Sequence, residues 1–177
     1  MMKKIAGFLC ALLLSGNVLA VEGVSVEAGT GQQTNVTRVG AIWNMDRQWF
    51  NEGDWHVAGY WEATAGTLRG NSSAGNNQTV TDLAITPVFR LQQKNLTSVA
   101  PYVEGAIGFH LVSPTFIYAG RHLGSAFQFG DHVGFGVTFG DQHQFDLAYR
   151  FQHMSNGGIK EPNQGVNLNL VHFVYHF

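Results

Sequence analysis

A histidine and a serine two positions apart, His153 and Ser155, occur in the stretch HMSNGGIKEPNQG. A serine hydroxyl becomes an effective nucleophile when a base within hydrogen-bond reach takes its proton, and histidine is the usual base. The next residue, Asn156, offers a backbone N–H and a side-chain amide that can stabilise an oxyanion. These residue types indicate hydrolysis of an ester, provided that the chain presents the histidine and the serine on one face.

The first twenty residues, MMKKIAGFLCALLLSGNVLA, have the features of a secretory signal peptide. Two lysines precede an apolar stretch that is too short to span a bilayer, and Ala20 is the small residue that a signal peptidase requires. We therefore expect residues 1–20 to be a signal peptide and residues 21–177 to be one exported domain. The single cysteine, Cys10, lies in the signal peptide, so the exported domain must fold without a disulfide.

The composition narrows the class of protein. The formal net charge of −2 offers no basic footprint for nucleic acid. Charged residues make up 12% of the chain, against roughly 25% in an ordinary soluble domain, while glycine and aromatic residues are abundant. After an export signal, this composition indicates either a secreted all-β domain or an outer-membrane barrel.

Alternation of residue types separates these two classes. In residues 81–92, 102–111, 127–139 and 145–151, one face is apolar and nearly free of ions, as contact with lipid requires. The other face mixes charges of both signs with glycine and alanine, which suits the crowded lumen of a narrow barrel. The alternative is a secreted sandwich with one solvated face.

The whole exported domain divides into strands of this kind. Short turns such as GDQH alternate with longer loops such as NGGIKEPNQG, which is typical of outer-membrane barrels. The chain ends in VHFVYHF, and an aromatic C-terminus such as Phe177 resembles the signal that these barrels present to the barrel-assembly machinery. We predict an all-β fold, an eight-stranded antiparallel transmembrane β-barrel in the bacterial outer membrane. The predicted strands are 22–29, 37–47, 55–67, 81–92, 99–111, 126–139, 144–155 and 166–177.

This topology orients the histidine and the serine. With both termini in the periplasm, the seventh strand runs outward, so His153 and Ser155 lie near its outer end. They share parity with Phe151 and should therefore face lipid at the level of the external leaflet. An ester at the membrane interface is the natural target of a serine and histidine in this position.

At this point the sequence resembles a known family, the lipid A 3-O-deacylases called PagL. These are eight-stranded outer-membrane barrels with a pattern close to H-x-S-N-x-G-x-x-x-P-N-x-G. The wider likeness covers the exported domain, including EGAIG at 104–108. The pattern is matched at His153, Ser155, Asn156, Gly158, Pro162, Asn163 and Gly165.

The resemblance implies a serine hydrolase that removes the 3-linked hydroxyacyl chain from the lipid A of lipopolysaccharide. By position, Ser155 would be the nucleophile, His153 the base and Asn156 an oxyanion contributor. No metal ion and no cofactor is expected for this family.

One position departs from the family pattern. The family has a glutamate two residues after the glycine that matches Gly165, and this chain has Asn167. A hairpin centred near residue 160 would place Asn167 opposite His153, where its amide could fix the imidazole tautomer but could not balance an imidazolium charge. Two carboxylates could supply that charge: Asp131, on the apolar parity of the sixth strand, and Glu161 in the adjacent loop. Alternatively, Asp131 is an ordinary interfacial residue and Glu161 is simply solvated.

Two other functions remain open from the sequence. The first is a structural or adhesion barrel without catalytic activity, in which replacing Ser155 changes nothing. The second is an interfacial phospholipase or acyltransferase barrel, which would differ in the lipid that loses its acyl chain or in the acceptor of that chain. The barrel architecture itself does not distinguish these functions.

Overall fold

The structure, a computed structural model, describes residues 20–177. The predicted signal peptide lies outside the described residues apart from Ala20, so its cleavage remains a prediction. The described residues contain no helix of the length and apolar character needed to cross a membrane. They form ten strands: β1 (Gly23–Gly31), β2 (Thr34–Asn44), β3 (Trp55–Gly70), β4 (Thr79–Gln93), β5 (Val99–Ser113), β6 (Phe116–Tyr118), β7 (Arg121–His122), β8 (Phe127–Phe139), β9 (Phe145–Ser155) and β10 (Val166–His176).

Eight of these strands close an antiparallel barrel in the order β1-β10-β9-β8-β5-β4-β3-β2, while β6 and β7 pair with each other as a short ribbon. The predicted eight-stranded barrel is confirmed. Closure pairs the first strand with the last and so leaves no open sheet edge, which is the condition for a sheet to lie in lipid. We call the end of the barrel that carries connections 71–78, 114–126 and 156–165 the outer end; the chain termini lie at the opposite end.

The first two strands differ most from the prediction. They continue to Gly31 and restart at Thr34, so that Gln32 and Gln33, both with positive φ, form a tight turn. Residues 30–36 are polar on both faces or glycine, apart from Val36, and therefore give little alternation to detect. β2 also ends earlier than predicted, because residues 45–54 form a connection between β2 and β3. This connection folds back over β3, where Trp49 pairs with Val57.

The lumen is filled by paired ions. The Arg150 guanidinium donates to the carboxylates of Glu104, Glu27 and Glu62 at 2.6, 3.0 and 3.1 Å. Arg38 bridges Glu27 and Asp82 at 2.6 and 2.7 Å, and all of these side chains are buried. Because each of these buried charges has an opposite partner, the interior tolerates ions that would otherwise be costly to remove from water. The strand faces that mix charges with glycine and alanine line the lumen, as predicted.

An apolar cluster closes the outer end of the lumen. The ribbon β6–β7 and its flanks fold into the mouth of the barrel, where Ile117, Tyr118 and Leu123 are buried. They pack with inward side chains of the barrel wall, including Met154 of β9. The long connection 114–126 is thereby fixed against the strand that carries the histidine and the serine.

The outward face is apolar over most of its height. Many large hydrophobic side chains there are two-fifths or more exposed in the isolated chain, for example Ile107, Val133 and Phe135. Such a continuous apolar surface marks contact with a membrane.

Candidate active site

His153 and Ser155 are the last outward-facing residues of β9. His153 is exposed and Ser155 is half-buried, whereas Met154 between them points into the lumen and is fully buried. The outward orientation predicted from parity agrees with this burial pattern. Both side chains therefore stand on the apolar outward wall of the barrel, at its outer end.

Asn167 of β10 lies directly opposite His153 in the β9–β10 register. The imidazole Nδ1 lies 2.6 Å from the amide Oδ1 of Asn167. An amide oxygen can only accept a hydrogen bond, so this contact places the proton on Nδ1 and leaves Nε2 as the basic nitrogen. The position that holds glutamate in the family pattern is thus occupied by an amide that orients the histidine.

The side chains of His153 and Ser155 lie on the same outward face of β9. Within residues 20–177, no hydrogen bond joins the two side chains. Residues i and i+2 of a strand are about 6.6–6.8 Å apart along it, so the two side chains must lean together to transfer a proton.

Gly165 forms a backbone wall of the site. Its φ is +57°, and a Cβ added there would lie 3.1 Å from His153 Cε1 and 3.2 Å from Ser155 Cβ. Any larger residue would crowd the pair and would also be strained by the positive φ. This glycine of the matched pattern is therefore required by the geometry around the histidine.

Asn156 is fully buried and holds the loop that follows β9. Its Nδ2 donates to the carbonyls of Leu123 and Lys160 at 3.0 and 2.6 Å, and its Oδ1 accepts from the Gly158 N–H. Its own backbone N–H donates to Asn163 Oδ1 at 3.1 Å. The donors expected to bind an oxyanion are thus all engaged within the protein. By contrast, the Gly157 N–H has no hydrogen-bond partner among the described residues.

The two candidate carboxylates differ in position. Asp131 of β8 is paired in register with His153 on the side away from Asn167, and it is exposed on the outward face. Within residues 20–177 its carboxylate makes no hydrogen bond or ion pair. Glu161 accepts from the Asn163 N–H at 2.9 Å and so belongs to the internal bonding of its loop. Of the two, Asp131 is the carboxylate next to the histidine.

An apolar groove of about 730 Å³ runs along the outward wall from this site. His153 and Asp131 lie in its lining, together with aromatic side chains such as Phe89 and Phe151. A Cβ at Gly105 would meet nothing nearer than the His132 carbonyl oxygen at 3.8 Å, so this glycine leaves an indentation in the wall. The groove was not predicted from the sequence, in which its signal is Gly105, a glycine at a lipid-facing position of β5.

Among residues 20–177, no group of three or more histidine, cysteine, aspartate or glutamate side chains is arranged to hold a metal ion.

Comparisons with known proteins find similar sequences and a similar fold. The family model described as lipid A 3-O-deacylase (PagL) matches residues 35–176. The lipid A deacylase PagL of Pseudomonas aeruginosa is 30% identical over 159 residues, which cover 88% of each chain. The lipid A deacylase PagL of Bordetella bronchiseptica is 33% identical over 165 residues, which cover 88% of this chain and 83% of the relative.

A solved structure is also similar. The crystal structure of the outer membrane enzyme PagL superimposes with a TM-score of 0.76 at 26% identity, over 88% of this chain and 99% of that chain.

Proposed function

The chain belongs to the lipid A 3-O-deacylase (PagL) family, and we propose that it hydrolyses the ester linking a hydroxyacyl chain to the 3-position of lipid A, at the outer leaflet. Membership of this family makes the protein a deacylating hydrolase of the bacterial outer membrane. The observation that carries the finer proposal is the 2.6 Å contact between His153 and Asn167 on the outward wall beside Ser155.

In the proposed reaction, His153 Nε2 takes the proton of the Ser155 hydroxyl while Oγ attacks the ester carbonyl. The tetrahedral intermediate collapses when the C–O bond to the sugar breaks, and the imidazolium returns its proton to the leaving oxygen. An acyl group is then bonded to Ser155. Water attacks this acyl-enzyme with His153 again as the base, and the free hydroxy fatty acid and the regenerated serine result.

Asn167 acts on the histidine rather than on the substrate. Its Oδ1 holds the proton on Nδ1, so that Nε2 is free to act as the base. It cannot neutralise the imidazolium that forms during proton transfer, since an amide carries no charge. We assign that task to Asp131, the carboxylate opposite His153 on β8.

The oxyanion of the tetrahedral intermediate requires a nearby donor. The Gly157 N–H is two residues beyond the nucleophile and has no partner within residues 20–177, and it is the donor that we assign to the oxyanion. Asn156 contributes by holding the turn: its side chain connects Leu123, Lys160 and Gly158. It could donate directly only by exchanging one of these bonds.

The apolar groove provides a place for the acyl chain. It starts beside His153 and passes over the indentation at Gly105. A hydrocarbon chain in the groove would contact the aromatic wall instead of lipid. This contact would hold the ester carbonyl near Ser155. Binding of this kind lowers the entropy cost of bringing ester and nucleophile together.

Mass spectrometry of lipid A from cells expressing the full chain tests the proposal. We expect wild type and Ser73→Ala, a control at an exposed outer serine, to remove one hydroxyacyl group, and Ser155→Ala to leave lipid A intact. Unchanged lipid A with a folded wild-type barrel would contradict the proposal and favour a barrel without this activity. Loss of acyl chains from phospholipid, or transfer to an acceptor other than water, would instead indicate the phospholipase or acyltransferase alternative.

A further inference from the structure

The ladder between β1 and β10 stops before it reaches the residue that orients the histidine. The last registered pair is Thr30 with Asn169. Continued by two residues, this register would pair Gln32 with Asn167. Gln32 has a φ of +46° in the tight turn, and this left-handed conformation takes its backbone out of the ladder.

The Gln32 side chain accepts the hydrogen bond that a backbone carbonyl of β1 would otherwise accept. Its Oε1 accepts a hydrogen bond from the Asn167 backbone N–H at 2.7 Å. In an antiparallel strand the N–H and C=O of one residue point to the same neighbour, so Asn167 directs both toward β1 and neither toward β9. The pair formed by Asn167 and His153 is therefore a non-hydrogen-bonded pair, in which side chains approach closely but the backbone provides no tether.

The turn itself is held by the long connection 114–126. The backbone carbonyl of Gln32 accepts from the Tyr118 hydroxyl at 2.9 Å, and that hydroxyl accepts from Arg121 Nε at 3.1 Å. Arg121 Nη1 donates in turn to the Gly165 carbonyl at 2.8 Å. These hydrogen bonds and the one to Asn167 connect the turn at Gln32, the connection 114–126 and the start of β10.

We propose that Gln32 is a positioning residue for the deacylation reaction: through the Asn167 N–H it sets the distance between the Asn167 amide and the His153 imidazole. This inference rests on the proposed function. Without the Gln32 acceptor, the Asn167 N–H is left unpaired at the end of a strand. Asn167 then has no hydrogen bond at its backbone N–H to hold it opposite His153.

An amide at position 167 makes this positioning important. Asparagine presents an acceptor and a donor that exchange places when the side chain rotates by half a turn. Rotation would point Nδ2 at the imidazole and favour the tautomer that carries its proton on Nε2, which cannot accept the serine proton. A backbone held at a fixed distance keeps the short contact to Oδ1, which only the productive orientation can form.

Kinetics of three turn variants test the proposal. Gln32→Leu removes the acceptor at nearly constant volume, Gln32→Glu keeps an acceptor oxygen, and Gln33→Leu alters the neighbouring turn residue, whose side chain is exposed. We expect Gln32→Leu to lower kcat about three- to tenfold, the effect of losing one hydrogen bond, with KM for lipid A unchanged. Gln32→Glu should keep most of the wild-type kcat, and Gln33→Leu should match wild type. Equal losses in Gln32→Leu and Gln33→Leu, or no loss in either, would overturn the inference.

Nitrogen NMR of the imidazole gives a readout that does not depend on activity. In micelles of the full chain, signals of His153 are identified by their disappearance in His153→Ala. We expect wild type to show a protonated Nδ1 and an unprotonated Nε2, and Gln32→Leu to show exchange between the two tautomers. Unchanged His153 signals in Gln32→Leu would overturn the inference. Inactive wild type with altered signals in Gln32→Leu would contradict the proposed function and leave the positioning of His153 supported.

Discussion

Replacing Asn167 with aspartate isolates the contribution of charge at the position that orients the histidine. Aspartate has the same length as asparagine, so an oxygen stays 2.6 Å from His153 Nδ1 while the neutral amide becomes a carboxylate. During proton transfer from Ser155 the imidazole becomes a cation, and a carboxylate stabilises that cation whereas an amide does not. We therefore expect Asn167→Asp to raise kcat.

The magnitude follows from the charge separation and the surroundings. Two unit charges about 4 Å apart interact by roughly 1 kcal/mol in water and roughly 4 kcal/mol at an effective dielectric constant of 20. The His153–Asn167 contact is exposed, which favours the lower half of this range. A stabilisation of about 1–2 kcal/mol corresponds to an increase in kcat of about 5- to 30-fold. Asn167→Ala should instead lower kcat about fivefold, because it removes one orienting hydrogen bond worth about 1 kcal/mol.

Initial rates of hydroxy fatty acid release from purified lipid A in mixed micelles measure these effects, with kcat and KM determined separately. Ser155→Ala provides the background rate. Asn167→Glu restores the residue type of the family pattern, but it adds a methylene and therefore tests charge and reach together. A kcat that is unchanged in both Asn167→Asp and Asn167→Ala would refute the reasoning, since position 167 would then neither orient nor charge-stabilise the histidine.

Three further substitutions test other parts of the structure. Asp131→Asn should lower kcat about two- to fivefold by removing the exposed carboxylate beside His153, and Asn167→Asp should recover the loss; a rate equal to wild type would make Asp131 an ordinary interfacial residue. Gly105→Leu should fill the groove and reduce lipid A turnover about tenfold while hydrolysis of a short-chain ester stays unchanged; equal loss on both substrates would mean a damaged fold rather than a blocked groove. Arg150→Met should destabilise the barrel by about 3–5 kcal/mol in urea unfolding, because three buried carboxylates lose their shared cation; a wild-type unfolding midpoint would contradict the structural role of the lumen network.

Residue periodicity was sufficient to predict the barrel and the direction in which the site faces. A strand has a side-chain period of two, so a slip of one residue would turn every ion of the lumen toward lipid. The strong contrast between ionic and apolar positions in β4, β5, β8 and β9 therefore determines which residues face outward. The same rule places His153 on the lipid-facing wall, and the short distance across one hairpin places Asn167 opposite it.

Where the contrast between polar and apolar positions was weak, the predicted ends of the strands were less precise. Polar residues around Gln32 concealed the true ends of β1 and β2, and the connection 45–54 folds back in a way that no alternation signals. The donors of Asn156 could be identified from residue type, but their partners Leu123 and Lys160 depend on how two loops pack at the mouth of the barrel.

The sequence by itself therefore determined the eight barrel strands, their faces and the residue types at the site, because these depend on the local geometry of an extended chain. Only the tertiary structure decided which groups hold those residues in place. Gln32 and Asn167 are 135 positions apart in the chain and meet because closure of the barrel brings the first strand against the last. Contacts made by closure have no periodic signature in the sequence, since they arise from the position of whole strands around the barrel rather than from the pattern within any one strand.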